Sequence, residues 1–335
     1  MKSFIYLALL GTVTLFSCEK ILMEPNPKTD NLSIFEEYWK LVDEKFAMFS
    51  DPGKNLDRAV LYTENRALIN NDISLDSLFG VLSNITWALK DGHSFLNNVE
   101  DPAQFTSYHE NWPVNLDQSI VDDVYMDSNT KTQGSGLRYT LFETDNIGYI
   151  EYRKFDEEVS SEMMDEILTY FKNTKGIIID VRGNSGGDPE YAAIMAGHFT
   201  DAKTYIGYED YKTGPGINDF SKSELYVEPA DGVKYLEPVV VLTDGLCFSA
   251  TTTFIYHLNP LPNITFIGAK TGGGSGAVAD GFLANGWQWA LSTSEFIDWE
   301  GRRLDNGFDP DIAVSLDSTN TTQDEIIERA ILELK

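Results

Sequence analysis

Two short stretches carry residue types that chemistry can use. Ser249 stands in Phe248-Ser249-Ala250, between an apolar run at Val239–Thr243 and a second apolar run towards His257. A hydroxyl there lies at the start of a helix, where unpaired backbone N–H groups and the helix dipole favour developing negative charge. The amide of Ala250 would be one oxyanion donor. A serine at a helix start also has an ordinary use as an N-cap, and the motif alone does not separate the two. The second stretch is Asn184-Ser185-Gly186-Gly187. Adjacent glycines before a helix can present successive N–H groups as an anion-binding nest. The loop lacks Walker spacing and the spacing of a dinucleotide fingerprint, so an oxyanion hole at Gly186 or Gly187 fits better than a phosphate site. A structural turn fits that motif equally well.

A serine nucleophile needs a base. Of the four histidines, His198 and His257 fall near helix ends, where a cation suits the dipole, and His109 has no distinguishing context. His93 follows a helix directly in Asp91-Gly92-His93-Ser94. A solvated loop histidine would look the same. Lys270 is near the site in sequence and is the other conceivable base. Cys18 and Cys247 are the two cysteines, so no zinc ligand set or redox pair is expected, and Cys247 in its hydrophobic stretch reads as packing.

The elements that must position these residues are legible in part. Residues 33–92 read as helical. Ser33 with Glu36 makes a capping box, Phe35, Tyr38, Val42 and Phe46 follow at helical spacing, and Asp51-Pro52-Gly53 stops the run. A second amphipathic helix runs from Leu75 to Leu89, with Gly92 as its stop. Residues 94–140 are polar, with weak strand signals. From Ile147 the pattern turns α/β, and a strand-loop-helix unit then occurs twice. The first is Gly176–Val181, the glycine loop and a helix capped by Asp188 with Pro189 at its first position; the second is Val239–Thr243, a loop at 244–248, and a helix from Ser249. Ile264–Gly268 is a further strand, leading to Lys270-Thr271-Gly272-Gly273-Gly274. Parallel units of this kind bring their loops to one carboxyl edge. Thr322 and Glu325 cap a last helix.

The formal net charge is −28 over 335 residues, with no basic block, which argues against nucleic acid as a partner. Residues 1–17 have the proportions of a signal peptide, with Lys2 before an apolar run from Phe4 to Phe16. Leu15-Phe16-Ser17-Cys18 resembles a lipobox, which would make Cys18 a lipidated residue and 18–32 a tether holding the protein to a membrane of the cell envelope.

Together the segments resemble a known family, the tail-specific, carboxy-terminal-processing serine peptidases, and within it the tricorn-type branch. The resemblance spans residues 33–335 and is carried by Asp91–Ser94, Ile177–Gly187, Phe248–Ala250, Gly268–Gly274 and Asn306–Ile312. It implies an α/β fold, a crotonase/ClpP-like core of β-β-α units at 96–335 behind an N-terminal helical subdomain at 33–95. It also implies a serine peptidase that needs neither metal nor organic cofactor and acts on peptide or protein. One branch uses a Ser–Lys dyad, but Gly274 stands where its lysine would fall. The tricorn-type branch uses a histidine base, which His93 matches, oriented by an acid for which Asp305 is the nearest candidate and Glu300 a looser one. Gly92 replaces the serine that precedes the histidine in that branch, and Thr252 replaces a residue that is often acidic. Residues 94–140 lack the carboxylate-binding loop of a PDZ module. The competing expectation is a catalytically silent envelope lipoprotein that binds a peptide, glycan or apolar ligand in the same cleft. The sequence leaves the oligomeric state open.

Overall fold

The structure, a computed structural model, describes residues 28–98, 101–106, 115–134 and 136–335. The signal-peptide segment, the lipobox with Cys18, most of the tether and His109 lie outside the described residues. Among the described residues no helix is long and apolar enough to cross a membrane.

The chain opens with helices α1 (Asn31–Lys45), α2 (Arg58–Arg66) and α3 (Leu75–Ala88). Asp30, not Ser33, caps α1. Its carboxylate accepts the Ser33 amide at 3.1 Å and takes the Ser33 hydroxyl as well, so the helix starts before the expected capping box. Likewise the stop after α3 is Lys90 rather than Gly92, because Lys90 itself takes the left-handed conformation (φ 50°) that a stop requires.

The helices do not form a core alone. Phe35, Tyr38, Leu78 and Leu82 pack with Leu96, Trp289 and Leu291 from a four-stranded sheet of order β11-β12-β1-β2, and with Leu283 in the connection between two of its strands. Its strands are β1 (Phe95–Asn97), β2 (Pro102–Gln104), β11 (Val278–Phe282) and β12 (Gln288–Ser292).

The main sheet has seven strands: β3 (Lys131–Gln133), β4 (Leu137–Phe142), β5 (Ile147–Tyr152), β6 (Gly176–Asp180), β9 (Val239–Thr243), β10 (Ile264–Gly268) and β14 (Ile312–Ala313). Their order is β14-β10-β9-β6-β5-β4-β3. From β5 to β14 every pairing is parallel, whereas β3, β4 and β5 meet antiparallel. The parallel strands read as unbroken apolar runs because both faces are covered. Ile177 and Ile179 face α4 (Ser161–Tyr170), α5 (Pro189–Gly197) and α6 (Ala250–Leu258), while Ile178 faces α7 (Glu325–Glu333) on the other side. The cap of α7 is Asp324, whose carboxylate takes the amides of Ile326 and Ile327, in place of the expected Thr322. A three-stranded sheet of order β13-β7-β8 packs on α5 and α6 through β8, and is built from β7 (Thr204–Lys212), β8 (Phe220–Val227) and β13 (Ser294–Asp298). The chain is thus mixed α/β.

Candidate active site

The loops after β6, β9 and β10 meet at the carboxyl edge of the main sheet. Buried Asp244 ties the first two together: its carboxylate accepts the Gly183 amide at 3.0 Å and the Leu246 amide at 3.0 Å. The next amides continue the lacing, Phe248 N to Asn184 O at 3.2 Å and Ser249 N to Gly273 O at 3.1 Å. Held on both sides, Ser249 adopts φ 58° and ψ −121°. That conformation costs a non-glycine residue about 1–3 kcal/mol and is sustained only where the surroundings over-determine it. Ser249 occupies the cap position of α6, yet its side chain caps nothing. Its hydroxyl lies instead 3.0 Å from His93 Nε2.

His93 reaches this point from the other side of the cleft. It sits between α3 and β1, and β1 is fixed by pairing with β12. Asp91 organises the loop. Its carboxylate accepts the His93 amide at 3.1 Å and the Ser94 hydroxyl, and Ser94 Oγ accepts the Ser292 amide at 3.3 Å. Burial works against the charge of Asp91, but Lys54, then His93 and the Ser94 hydroxyl, outweigh it and hold the carboxyl below its ordinary range. The His93 ring packs on Phe248 with centroids 4.7 Å apart. Its Nδ1 is buried, with no hydrogen-bond partner among the described residues.

Asp305 is therefore not in contact with the imidazole as an orienting acid. Its carboxylate is buried against Lys54, with Nζ 2.5 Å from Oδ2, and it accepts the Ser275 amide at 3.2 Å. Burial lifts its carboxyl above the ordinary value despite the pull of Lys54. Glu300, the looser candidate, pairs with Arg302 at 2.7 Å on the surface. The acid that does touch the histidine segment is Asp91, two residues upstream, and it holds the backbone rather than the ring. Its position was in plain view in the sequence; its contacts arise only when the loop closes on β12.

The glycine loop lies against the serine. A Cβ built on Gly186 would come within 2.7 Å of Ser249 Cβ and 2.9 Å of Ala250 N, so only glycine fits there. The amide of Gly186, however, is already taken by Asn184 Oδ1 at 2.9 Å, which removes it as an oxyanion donor. Neither Ala250 N nor Gly187 N has such a partner among the hydrogen bonds of the described residues. Asn184 is fully buried and joins three elements: besides Gly186 it accepts the Thr251 hydroxyl at 2.7 Å and donates to Tyr152 O at 3.0 Å.

Lys270 points away from the site, to Asp309 at 3.6 Å on the surface. Gly274 fills the position expected of a lysine, and a Cβ there would strike the Phe248 ring at 2.2 Å. Cys247 is buried beneath the loop, where burial pushes its thiol well above the ordinary value, as fits packing rather than attack.

Ser249 and His93 open onto a cleft of about 580 Å³. Tyr211, Leu225, Tyr226 and Phe296 from the three-stranded sheet form its apolar wall. Glu190 and Glu209 are among its lining residues, and among the described residues no lysine or arginine lines it.

This geometry can be set beside known proteins. The family model of peptidase family S41 matches residues 146–314, a span that holds Ser249, Gly186, Gly187 and Asp305 but not His93. The crystal structure of a candidate peptidase from Parabacteroides merdae superposes with a TM-score of 0.85 at 33% identity, covering 92% of this chain and 97% of that one. Carboxy-terminal processing protease CtpA of Bacillus subtilis is 33% identical over 136 residues, which is 40% of this chain but 28% of that protein. Mature CPAF shares the fold, with a TM-score of 0.66 at 12% identity over 91% of this chain and 97% of that one. On the family match and the Parabacteroides merdae likeness together, the chain belongs to peptidase family S41, the family of tail-specific and carboxy-terminal-processing serine proteases.

Proposed function

We propose that the protein cleaves peptide bonds through an acyl-enzyme on Ser249, with His93 as general base. The observation that carries this reading is the 3.0 Å approach of His93 Nε2 to a serine hydroxyl that caps nothing, between residues 156 apart in sequence. His93 takes the hydroxyl proton as Oγ attacks the carbonyl carbon. The oxyanion is received by the amides of Ala250 and Gly187. The protonated imidazole then returns its proton to the departing amine, and a water activated by the same histidine hydrolyses the ester. Loss of one oxyanion donor in such a site costs about 2.7–4 kcal/mol of transition-state stabilisation. The buried carboxylate of Asp91 fixes the loop and contributes negative charge near the imidazole as it becomes cationic.

The cleft favours an extended peptide with an apolar or aromatic side chain against Tyr226 and Phe296. Glu190 and Glu209 bias it against acidic side chains. By the lipobox reading, the mature protein is held at a membrane of the cell envelope through a lipid on Cys18.

A fluorophosphonate probe tests the mechanism. The wild type is expected to label, and Ser249→Ala to abolish labelling while the fold persists. His93→Ala should lower the labelling rate by several orders of magnitude. A folded wild type that refuses the probe would favour a silent binding protein instead. Metabolic labelling with a radioactive fatty acid, compared between wild type and Cys18→Ser, checks the anchor.

A further inference from the structure

The turn Asp51-Pro52-Gly53-Lys54 ends the first helical run, and it also grips both strands of chain that flank the candidate site. Lys54 is 1% exposed. Its ammonium lies 2.5 Å from Asp305 Oδ2 and donates to the Lys90 carbonyl at 2.8 Å. Lys90 returns the contact, its own ammonium donating to Lys54 O at 3.1 Å. On the same turn Asp51 accepts the Gly53 amide at 2.8 Å and Asn306 Nδ2 at 2.8 Å.

The two gripped segments are those that set the catalytic spacing. Lys90 is the left-handed residue from which Asp91, Gly92 and His93 hang. Asp305 holds the other side: its carbonyl accepts the Gly274 amide at 3.1 Å and its carboxylate the Ser275 amide at 3.2 Å. The Gly273 carbonyl next to them accepts the Ser249 amide and, at 2.5 Å, the Thr252 hydroxyl. A chain of contacts therefore runs from His93 through Lys54 to Ser249 without passing through the main sheet.

A buried ion pair is a poor source of stability, because well-packed apolar residues often serve as well. What an ammonium adds is direction, since it can hold a carbonyl on one segment and a carboxylate on another. The carboxylates facing it are Asp305, Asp91 and Asp51, and they outweigh burial to keep Lys54 charged.

We propose that Lys54 is a positioning residue, which fixes the His93 loop and the Gly273–Ser275 loop at the separation that brings His93 to Ser249. The proposal rests on the hydrolase reading above. The helical segment is then part of the catalytic apparatus, although it supplies no reacting atom.

The test uses the full-length protein, a fluorophosphonate probe, and two variants: Lys54→Met and the double variant Lys54→Met/Asp305→Asn. Tm is measured for each, and labelling kinetics are resolved into a maximal rate and a half-saturating concentration. Lys54→Met strands a buried carboxylate and is expected to lower Tm. It should also lower the maximal labelling rate on the order of 10²-fold, as small misplacements do, with the half-saturating concentration unchanged. The double variant removes the stranded charge and should recover Tm while its maximal rate stays low, because the tether to Lys90 O is still missing. Recovery of the rate together with Tm would show that Lys54 serves only folding, and would overturn the proposal. So would a wild-type maximal rate in Lys54→Met. An unlabelled wild type would instead sink the hydrolase reading, and with it any role for Lys54 in positioning the reaction.

Discussion

Replacing Asn184 by alanine removes one carboxamide that holds three elements, and the structure allows the cost to be worked out. Asn184 is fully buried, and its side chain satisfies the Gly186 amide, the Thr251 hydroxyl and the Tyr152 carbonyl. Thr251 keeps a partner, because its hydroxyl also donates to the Asn184 backbone carbonyl at 2.9 Å. Two buried groups, Gly186 N–H and Tyr152 C=O, are left unpaired. At roughly 1–3 kcal/mol each, Asn184→Ala should lose about 2–6 kcal/mol of unfolding free energy. A domain with a stability of about 10 kcal/mol, the middle of the ordinary range, remains folded at room temperature after such a loss. The catalytic effect is separate. With its anchor gone, the Gly186-Gly187 segment no longer holds the Gly187 amide in place, and loss of one oxyanion donor lowers the rate by about 10²–10³-fold. Urea unfolding measures the first quantity, and fluorophosphonate labelling at a temperature where the variant is folded measures the second. A variant destabilised as expected but labelled at the wild-type rate would refute the assignment of this loop to the oxyanion. A variant of undiminished stability would refute the hydrogen-bond accounting itself.

Four further outcomes follow from the same structure. Ser249→Gly should be about 1 kcal/mol more stable than Ser249→Ala, since both lack the hydroxyl and only glycine accepts φ 58° without strain; equal stabilities would show that the backbone there is unstrained. Lys270→Ala should label at the wild-type rate, because Lys270 faces Asp309 on the surface; a large loss would restore lysine as a candidate base. Arg182→Met should cost about 3–5 kcal/mol in urea unfolding, as it removes the only ion-pair partner described for buried Asp324 and one of two for Asp180. Finally, burial raises Asp180, but Arg153 and Arg182 outweigh it and hold its carboxyl far below the ordinary value near 3.8. Its contribution is then fully present above pH 3.8 and is lost as acid approaches the folded-state value. The stability gap between wild type and Asp180→Asn should be constant from neutral pH to about pH 5 and shrink below pH 3.8, and a gap independent of pH would contradict the ion-pair account.

The most legible parts of the chain were those governed by local rules. Strands Val239–Thr243 and Ile264–Gly268 coincide with their apolar runs, since a parallel strand covered on both faces has no polar alternation to blur its ends. Asp188-Pro189 opens α5 as capping chemistry requires. Ser249, His93 and the glycine loop were nameable because each follows an element whose end could be read. The three-stranded sheet that walls the cleft left no comparable mark. Its strands carry many half-buried and exposed positions, as in Phe220–Val227, and β13 pairs with β7 from far along the chain.

The same distinction runs through the site. Residue types and order along the chain were enough to propose a serine nucleophile and a histidine base, because both stand beside helix ends that local patterns reveal. Which carboxylate serves which partner was settled by long-range closure. Asp305 lies 251 residues from the Lys54 it binds, and no periodicity encodes such a contact. The Gly186 amide looked available in the sequence, but Asn184 claims it two residues upstream once the loop turns left-handed. Buried charges pair with whatever the packed fold brings within reach, since leaving one alone in a low-dielectric interior is far more costly than burying it with a partner.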